Sequence, residues 1–223
     1  MTPYIITAGE PAGIGPDCII RAWRLQPQAF ENCIIAAPSC WITARAEQIG
    51  ADIVIEEFST LAAAENAVSI SKTNRLVCWN PLPPGAALCQ VNPGSPSGST
   101  ARAVIDCIAA AANACLQGDA SGLITGPIEK AALRSTGFNF PGHTEFLAHL
   151  ASEYGNCQHD FVMMLASDEL RVALLTTHMA LRDVPDAISI VETVKSLRIV
   201  EQDLRNRFGI RNPKLALCAL NPH

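Results

Sequence analysis

Aromatic residues make up only 5% of this 223-residue chain, although 49% of it is hydrophobic. Abundant Ala, Ile, Leu and Val with so few aromatics argue against an aromatic-rich β-sandwich and favour a parallel sheet covered by helices. Positive charge is not in excess either. A formal net charge of -5 excludes the electrostatic footprint of a nucleic-acid or anionic-membrane binder. No Cys-x-x-Cys pair occurs among the nine cysteines, whose number is odd and whose positions are scattered, so neither a disulfide framework nor a zinc ribbon is indicated. Most are expected to be small core residues in a reducing cytosol. The start, Met1-Thr2-Pro3-Tyr4, lacks a charged region followed by an apolar stretch, so no signal peptide is expected. The most apolar helix, near Cys107 to Leu116, is flanked by Asp106, contains Asn113 and reads as too short to span a bilayer. These absences leave a cytoplasmic protein with a small-molecule ligand, without nucleic-acid or membrane partners.

The length allows one large domain or two smaller ones. Strand and helix patterns alternate from end to end. Tyr4 to Thr7, Cys33 to Ala37, Ile53 to Ile55, Leu76 to Trp79 and Gly122 to Thr125 read as strands. Helices are expected from Pro16, over Ser39 to Gln48, over Ser99 to Leu116, and over Pro185 to Phe208, with Gly50, Gly118 and Gly209 as stops. Asn80 to Gly98, rich in Pro, Gly and Ser, reads as a long surface loop. The fold class is α/β with a parallel or mixed sheet.

Several strand ends carry chemistry. Gly9-Glu10-Pro11-Ala12-Gly13-Ile14-Gly15-Pro16-Asp17 is a glycine-rich strand-to-helix turn. Its spacing matches neither the dinucleotide fingerprint nor a P-loop, and its prolines remove N–H groups that a phosphate cradle would use. A tight structural turn is the favoured reading, with Glu10 and Asp17 as candidate site acids. At Thr125-Gly126-Pro127-Ile128-Glu129-Lys130 a second strand end opens a helix, and Lys130 either meets an anion or is simply solvated.

Pro141-Gly142-His143-Thr144-Glu145-Phe146 places a histidine and a hydroxyl at a helix start, where free N–H groups and the helix dipole favour negative charge. This suits a phosphorylated or carboxylated substrate; a Thr144 cap with an incidental His143 is the plain alternative. His149 and His159 have no such setting. Arg171 to Leu175 and Leu215 to Leu220 read as apolar strands that run into His178 and His223, and ligands in open α/β sheets bind beyond strand carboxyl ends. Two strand-end histidines suggest a metal or substrate site.

Taken together, these stretches resemble the 4-hydroxythreonine-4-phosphate dehydrogenase family of pyridoxal phosphate biosynthesis. The carriers are Gly9 to Asp17, Leu123-Ile124-Thr125-Gly126-Pro127, Gly142-His143-Thr144-Glu145-Phe146, the run from Val162 to Ala173, Thr176-Thr177-His178 with Leu181-Arg182-Asp183, and Leu220-Asn221-Pro222-His223. They span the chain in the family's order.

The resemblance implies a two-domain α/β/α homodimer similar to isocitrate and isopropylmalate dehydrogenases, with its site in the interdomain cleft near the dimer interface. It implies that His143 and Thr144 contact substrate, while His178 and His223 are two of three histidine ligands to a divalent metal (zinc, magnesium or cobalt). NAD or NADP would oxidise the C3 hydroxyl of 4-phosphooxy-threonine, and the oxo acid would lose CO2. Members continue beyond Asn-Pro-His, so the expected division is 1–125 as a first α/β domain lacking its C-terminal completion and 126–223 as part of a second with the dimer and metal region. On that expectation the 223 residues alone are inactive. Related enzymes of four-carbon sugar-acid phosphates or aromatic dihydrodiols, and a non-catalytic binding remnant, are the alternatives.

Overall fold

The apolar runs at β1 (Tyr4–Thr7), β2 (Cys33–Ala36) and β4 (Arg75–Trp79) lie side by side in one parallel sheet, completed by β3 (Val54–Phe58) and β5 (Gly122–Thr125) in the order β3-β4-β2-β1-β5. The computed structural model describes residues 2–70, 75–85, 89–156 and 160–221. The central strands β1, β2 and β4 read as largely continuous apolar runs rather than alternating ones because both sheet faces are covered there. On one face Ile6, Ala8, Ile35, Ala37 and Cys78 meet three helices: α1 (Gly15–Leu25) through Ile19, Ile20 and Trp23, α2 (Ser39–Gln48) through Trp41 and Ile42, and α4 (Gly98–Gln117) through Ala101, Val104 and Ile108. On the other, Ile5 and Ala36 meet Ala111 and Ala114 of α4, while Ile34 and Val77 meet Ala64 of α3 (Leu61–Ile70). Each fully buried Ile contributes roughly 1.5–3 kcal/mol. A bidentate ion pair, Arg45 Nε and Nη2 to the Asp17 carboxylate at 2.8 and 2.9 Å, ties α2 to α1.

Four expected strands and the helix at 39–48 match the observed elements closely, and the fifth strand begins one residue late at Val54. The α3 helix was not expected: Leu61-Ala62-Ala63-Ala64 is rich in good helix formers but lacks a glycine or proline boundary to frame it. The expectation that the most apolar helix is too short for a membrane is corrected, since α4 has 20 residues and is long and apolar enough by length and composition to cross one. Half of that apolar window is buried inside the fold, where it packs on β1, β2 and β5.

Reduced core cysteines were expected, and Cys78 and Cys107 are indeed buried. That expectation is corrected at Cys40, which is joined to Cys89 with a Cα separation of 5.5 Å. The loop after β4 returns over the start of α2, bringing together two residues 49 positions apart. No short spacing could signal that pairing.

The chain divides into two compact units, Met1–Gln158 and His159–His223. Residue 125, the boundary read from sequence, lies within the first unit, because α5 (Lys130–Arg134) and α6 (His143–Gly155) both pack on α4.

In the second unit, β6 (Met163–Ala166) and β7 (Arg171–Leu174) form an antiparallel hairpin closed by Ser167 N–H to the Leu170 carbonyl at 2.8 Å. The short α7 (Val184–Ala187) precedes α8 (Ile190–Asn206), whose first turn is capped by Ser189 Oγ accepting from Glu192 N–H. Val200 and Leu204 are the buried stripe of α8. Arg205 and Glu201, an i,i+4 pair on this helix, lie 2.7 Å apart. The buried strand expected at Leu215 to Leu220 is corrected. These residues take no regular structure and Leu215, Leu217 and Leu220 are exposed, because an apolar run becomes a strand only where a neighbour completes its backbone hydrogen bonds.

Candidate active site

β1 and β5 end in register, Thr7 opposite Thr125, so the turns that follow them begin at one level of the sheet. Gly9 and Gly126 let those turns touch, and Gly15 lets the first turn close on itself. A Cβ at Gly9, whose φ is +70°, would stand 2.2 Å from the Pro127 carbonyl oxygen, and one at Gly15 would stand 1.9 Å from the Ala8 carbonyl oxygen. At Gly126 it would stand 2.6 Å from the carbonyl oxygens of both Thr7 and Ala8. The turns are stitched by Gly126 N–H to Thr7 O at 2.9 Å and Glu10 N–H to Pro127 O at 2.8 Å. The glycines of the first motif thus serve backbone packing, as its proline-interrupted spacing indicated.

Glu10 stands inside this junction, with only 3% of its surface exposed. Its Oε1 accepts from Ala12 N–H at 3.0 Å and faces the Thr100 hydroxyl at 3.2 Å. That hydroxyl is also 3.0 Å from the Ser97 carbonyl, so its single proton serves one acceptor at a time. Oε2 is buried without a partner among the described residues. Burial pushes the Glu10 carboxyl above the usual range; its hydrogen bonds oppose the shift and nearby Glu129 adds to it. Glu129 itself caps α5 by accepting from Ala131 N–H at 3.0 Å.

Lys130 opens α5 and His143 opens α6. Phe138, Phe140 and Phe146 fix the entry to α6, with ring centroids 5.0–5.2 Å apart. Thr144 is the second residue of the helix; its cap position is Gly142, with extended backbone and no side-chain cap, so the Thr144-cap alternative does not hold. His143 Nε2 and Glu145 Oε2 are both buried without a partner among the described residues. Burial holds the His143 imidazole below its ordinary value, and the Lys130 charge lowers it further. His149 packs its ring on Phe140 and lies 3.4 Å from Glu153, an assignment to structure that agrees with its place in mid-helix. His159 lies outside the described residues.

In the second unit His178 follows β7 and is exposed, with a left-handed φ of 55° that few non-glycine residues adopt. Its expected companion His223 lies outside the described residues. Among those described, no group of three or more His, Cys, Asp or Glu side chains is arranged to hold a metal ion.

Residues 29–223 match the family model of the pyridoxal phosphate biosynthetic protein PdxA. The chain belongs to the PdxA family. It is 40% identical over 221 residues to the 4-hydroxythreonine-4-phosphate dehydrogenase of Pseudomonas aeruginosa, and 39% identical over 225 residues to that of Methylorubrum populi. These alignments cover 99% of this chain and 63% and 62% of those relatives, so the chain spans less than two thirds of their length. The crystal structure of a 4-hydroxythreonine-4-phosphate dehydrogenase from Klebsiella pneumoniae superposes with a TM-score of 0.82 at 24% identity, covering 100% of this chain and 65% of that one. A terephthalate 1,2-cis-dihydrodiol dehydrogenase from Burkholderia xenovorans gives 0.62 at 21% identity, covering 100% and 62%. These likenesses establish a shared α/β fold.

Within this PdxA-family fold, the geometry joins residues that sequence reading kept apart. Glu10 and Glu129 come from different motifs, yet Glu129 helps to raise the Glu10 carboxyl, and Lys130 acts on His143 from a neighbouring helix. In sequence Glu145 reads only as part of the Gly142 to Phe146 motif. Its short distance from His143 along a helix start was the available signal.

Proposed function

We propose that the protein to which these residues belong oxidises 4-phosphooxy-L-threonine with NAD or NADP to 2-amino-3-oxo-4-phosphooxybutanoate, which decarboxylates to 3-amino-2-oxopropyl phosphate, within pyridoxine 5'-phosphate biosynthesis in the cytoplasm. Membership of the PdxA family and relatives named for this dehydrogenase support the reading. The observation that carries it is the start of α6, where a half-buried His143, its Nε2 without a partner among the described residues, and the Thr144 hydroxyl accompany the free N–H groups of a 13-residue helix. Such an arrangement binds an anionic group through neutral donors and the positive end of the helix dipole.

His143 and Thr144 bind and orient the substrate in this reading. Because the imidazole is held below its ordinary value, it meets substrate in the neutral form, able to donate one hydrogen bond or accept one. The divalent metal (zinc, magnesium or cobalt) expected from the family resemblance remains assigned to His178 and His223. The described residues do not by themselves assemble a metal centre. The Gly9–Gly15 turn does not fit a dinucleotide phosphate cradle, since Pro11 and Pro16 lack N–H groups and the glycines are occupied by backbone contacts. A homodimer belongs to the same proposal, supported by exposed Leu165 and Val172 on the hairpin and Ile190 and Val191 on α8.

The test is a steady-state assay of the purified full-length protein with 4-phosphooxy-L-threonine, a four-carbon sugar-acid phosphate and an aromatic dihydrodiol. Oxidation of the first alone supports the reading. Preference for either of the others assigns the site to a related dehydrogenase.

A further inference from the structure

We propose that Lys130 is a further binding residue of this site and that it, not His143, carries the positive charge presented to an anionic substrate group at the start of α6. The inference rests on the reading of His143 and Thr144 given above.

The placement comes from the backbone of Gly142. A Cβ built there would be 3.9 Å from Lys130 Nζ and 3.6 Å from Glu145 Oε2, so ammonium and carboxylate stand over the same peptide without forming an ion pair within 4.0 Å. The imidazole opens the adjoining helix with Nε2 buried and without a partner among the described residues. A phosphate monoester brings a charge of about -1.5 to -2 near neutral pH, whereas a helix N-terminus offers roughly +0.5. Glu145, in the first turn, opposes an anion further. A neutral histidine cannot offset that carboxylate, and Lys130 can.

The groups around the imidazole agree. Lys130 faces it from α5 and lowers its proton affinity in addition to burial. Glu145 shares its helix, and Glu129 precedes Lys130 as the cap of α5 with its carboxylate accepting from Ala131. Arg102 and Asp106 on α4, which packs against α6, are paired with each other at 3.0 Å. Lys130 has no carboxylate within ion-pairing distance among the described residues. That distinguishes it from Lys195, which lies 2.7 Å from Asp160.

Sulfate is the probe, because its charge does not change between about pH 6 and pH 8, the range in which an ordinary histidine titrates. Binding to the full protein is measured by calorimetry and by the His143 ring resonances. The wild type is expected to bind sulfate with nearly the same affinity at both pH values. Lys130→Met should weaken binding about tenfold at both pH values, because burial still holds the imidazole neutral; Lys130→Arg should retain wild-type behaviour. In the wild type alone, added inert salt should raise the His143 titration midpoint by screening Lys130. Unchanged affinity in Lys130→Met at high pH, wild-type affinity that falls in step with His143 titration, or no sulfate binding at all would each overturn the proposal. The dehydrogenase assay is independent of these results, so failure of the substrate reading is seen separately.

Discussion

The backbone N–H of Glu10 donates to the carbonyl of Pro127 at 2.8 Å, joining the turn after β1 to the turn after β5. Two motifs more than a hundred residues apart in sequence become one junction through this bond and the glycine contacts around it. It sets the local frame in which Glu10 is buried and Glu129 and Lys130 begin α5.

Gly9→Ala should therefore destabilise the protein by about 2–4 kcal/mol, combining steric overlap with the Pro127 oxygen and a left-handed backbone. Gly50 provides the control: its φ is +62° but nothing lies within 4 Å of an added Cβ. Gly50→Ala should cost roughly 1 kcal/mol, from backbone strain alone. Equal losses in denaturant unfolding would show that the junction is not closely packed.

Glu10 gives a pH prediction with a definite sign. Its folded carboxyl is raised by burial, so between the ordinary value of 4.5 and the higher folded value the folded state holds more protons than the unfolded one. Stability from this group is greatest below the ordinary value and declines as pH rises through the folded value. Glu10→Gln, which keeps an acceptor for Ala12 N–H, should be more stable than wild type at neutral pH and lose that advantage in acid. A difference independent of pH would contradict the buried, titrating carboxyl.

His143 has the opposite sign. Its folded imidazole lies below the ordinary value of 6.5, so the unfolded chain binds more protons between the two values. The His143 contribution should be complete above the ordinary value and diminish as pH falls through the lowered folded value. In unfolding measurements over this window, His143→Asn should flatten the pH dependence. In the full-length protein, on the proposed activity, His143→Ala should raise KM about tenfold or more while leaving metal content unchanged; loss of metal with intact KM would reverse the assignment of roles.

The Cys40–Cys89 link closes a long loop, and loop entropy for a separation of 49 residues corresponds to about 4 kcal/mol. Thiol titration of unreduced, denatured protein should find two fewer thiols than the nine cysteines present, and reduction should lower unfolding stability by about 2–4 kcal/mol. Nine titratable thiols without reductant would show that the pair is reduced.

Much of the first unit was legible because its strands bury both faces and its helices have boundaries. Gly50 and Gly118 mark the ends of α2 and α4, and a helix start at His143 is present as expected. What could not be read was long-range. The Leu215 to Leu220 run has strand composition, but pairing depends on a neighbour that composition does not specify. Lys130 was recognised as able to meet an anion, yet its action on His143 depends on how α5 and α6 pack. Likewise, the Glu10 motif gave no sign that Thr100, ninety residues later, would meet its carboxylate.

The central claim is tested most directly by incubating the purified full-length protein with 4-phosphooxy-L-threonine and NAD or NADP, while measuring reduced nicotinamide and released CO2 together. Both products are expected in equal amounts, with KM for the substrate raised by His143→Ala. Oxidation of an aromatic dihydrodiol or a four-carbon sugar-acid phosphate, with none of 4-phosphooxy-L-threonine, would contradict it.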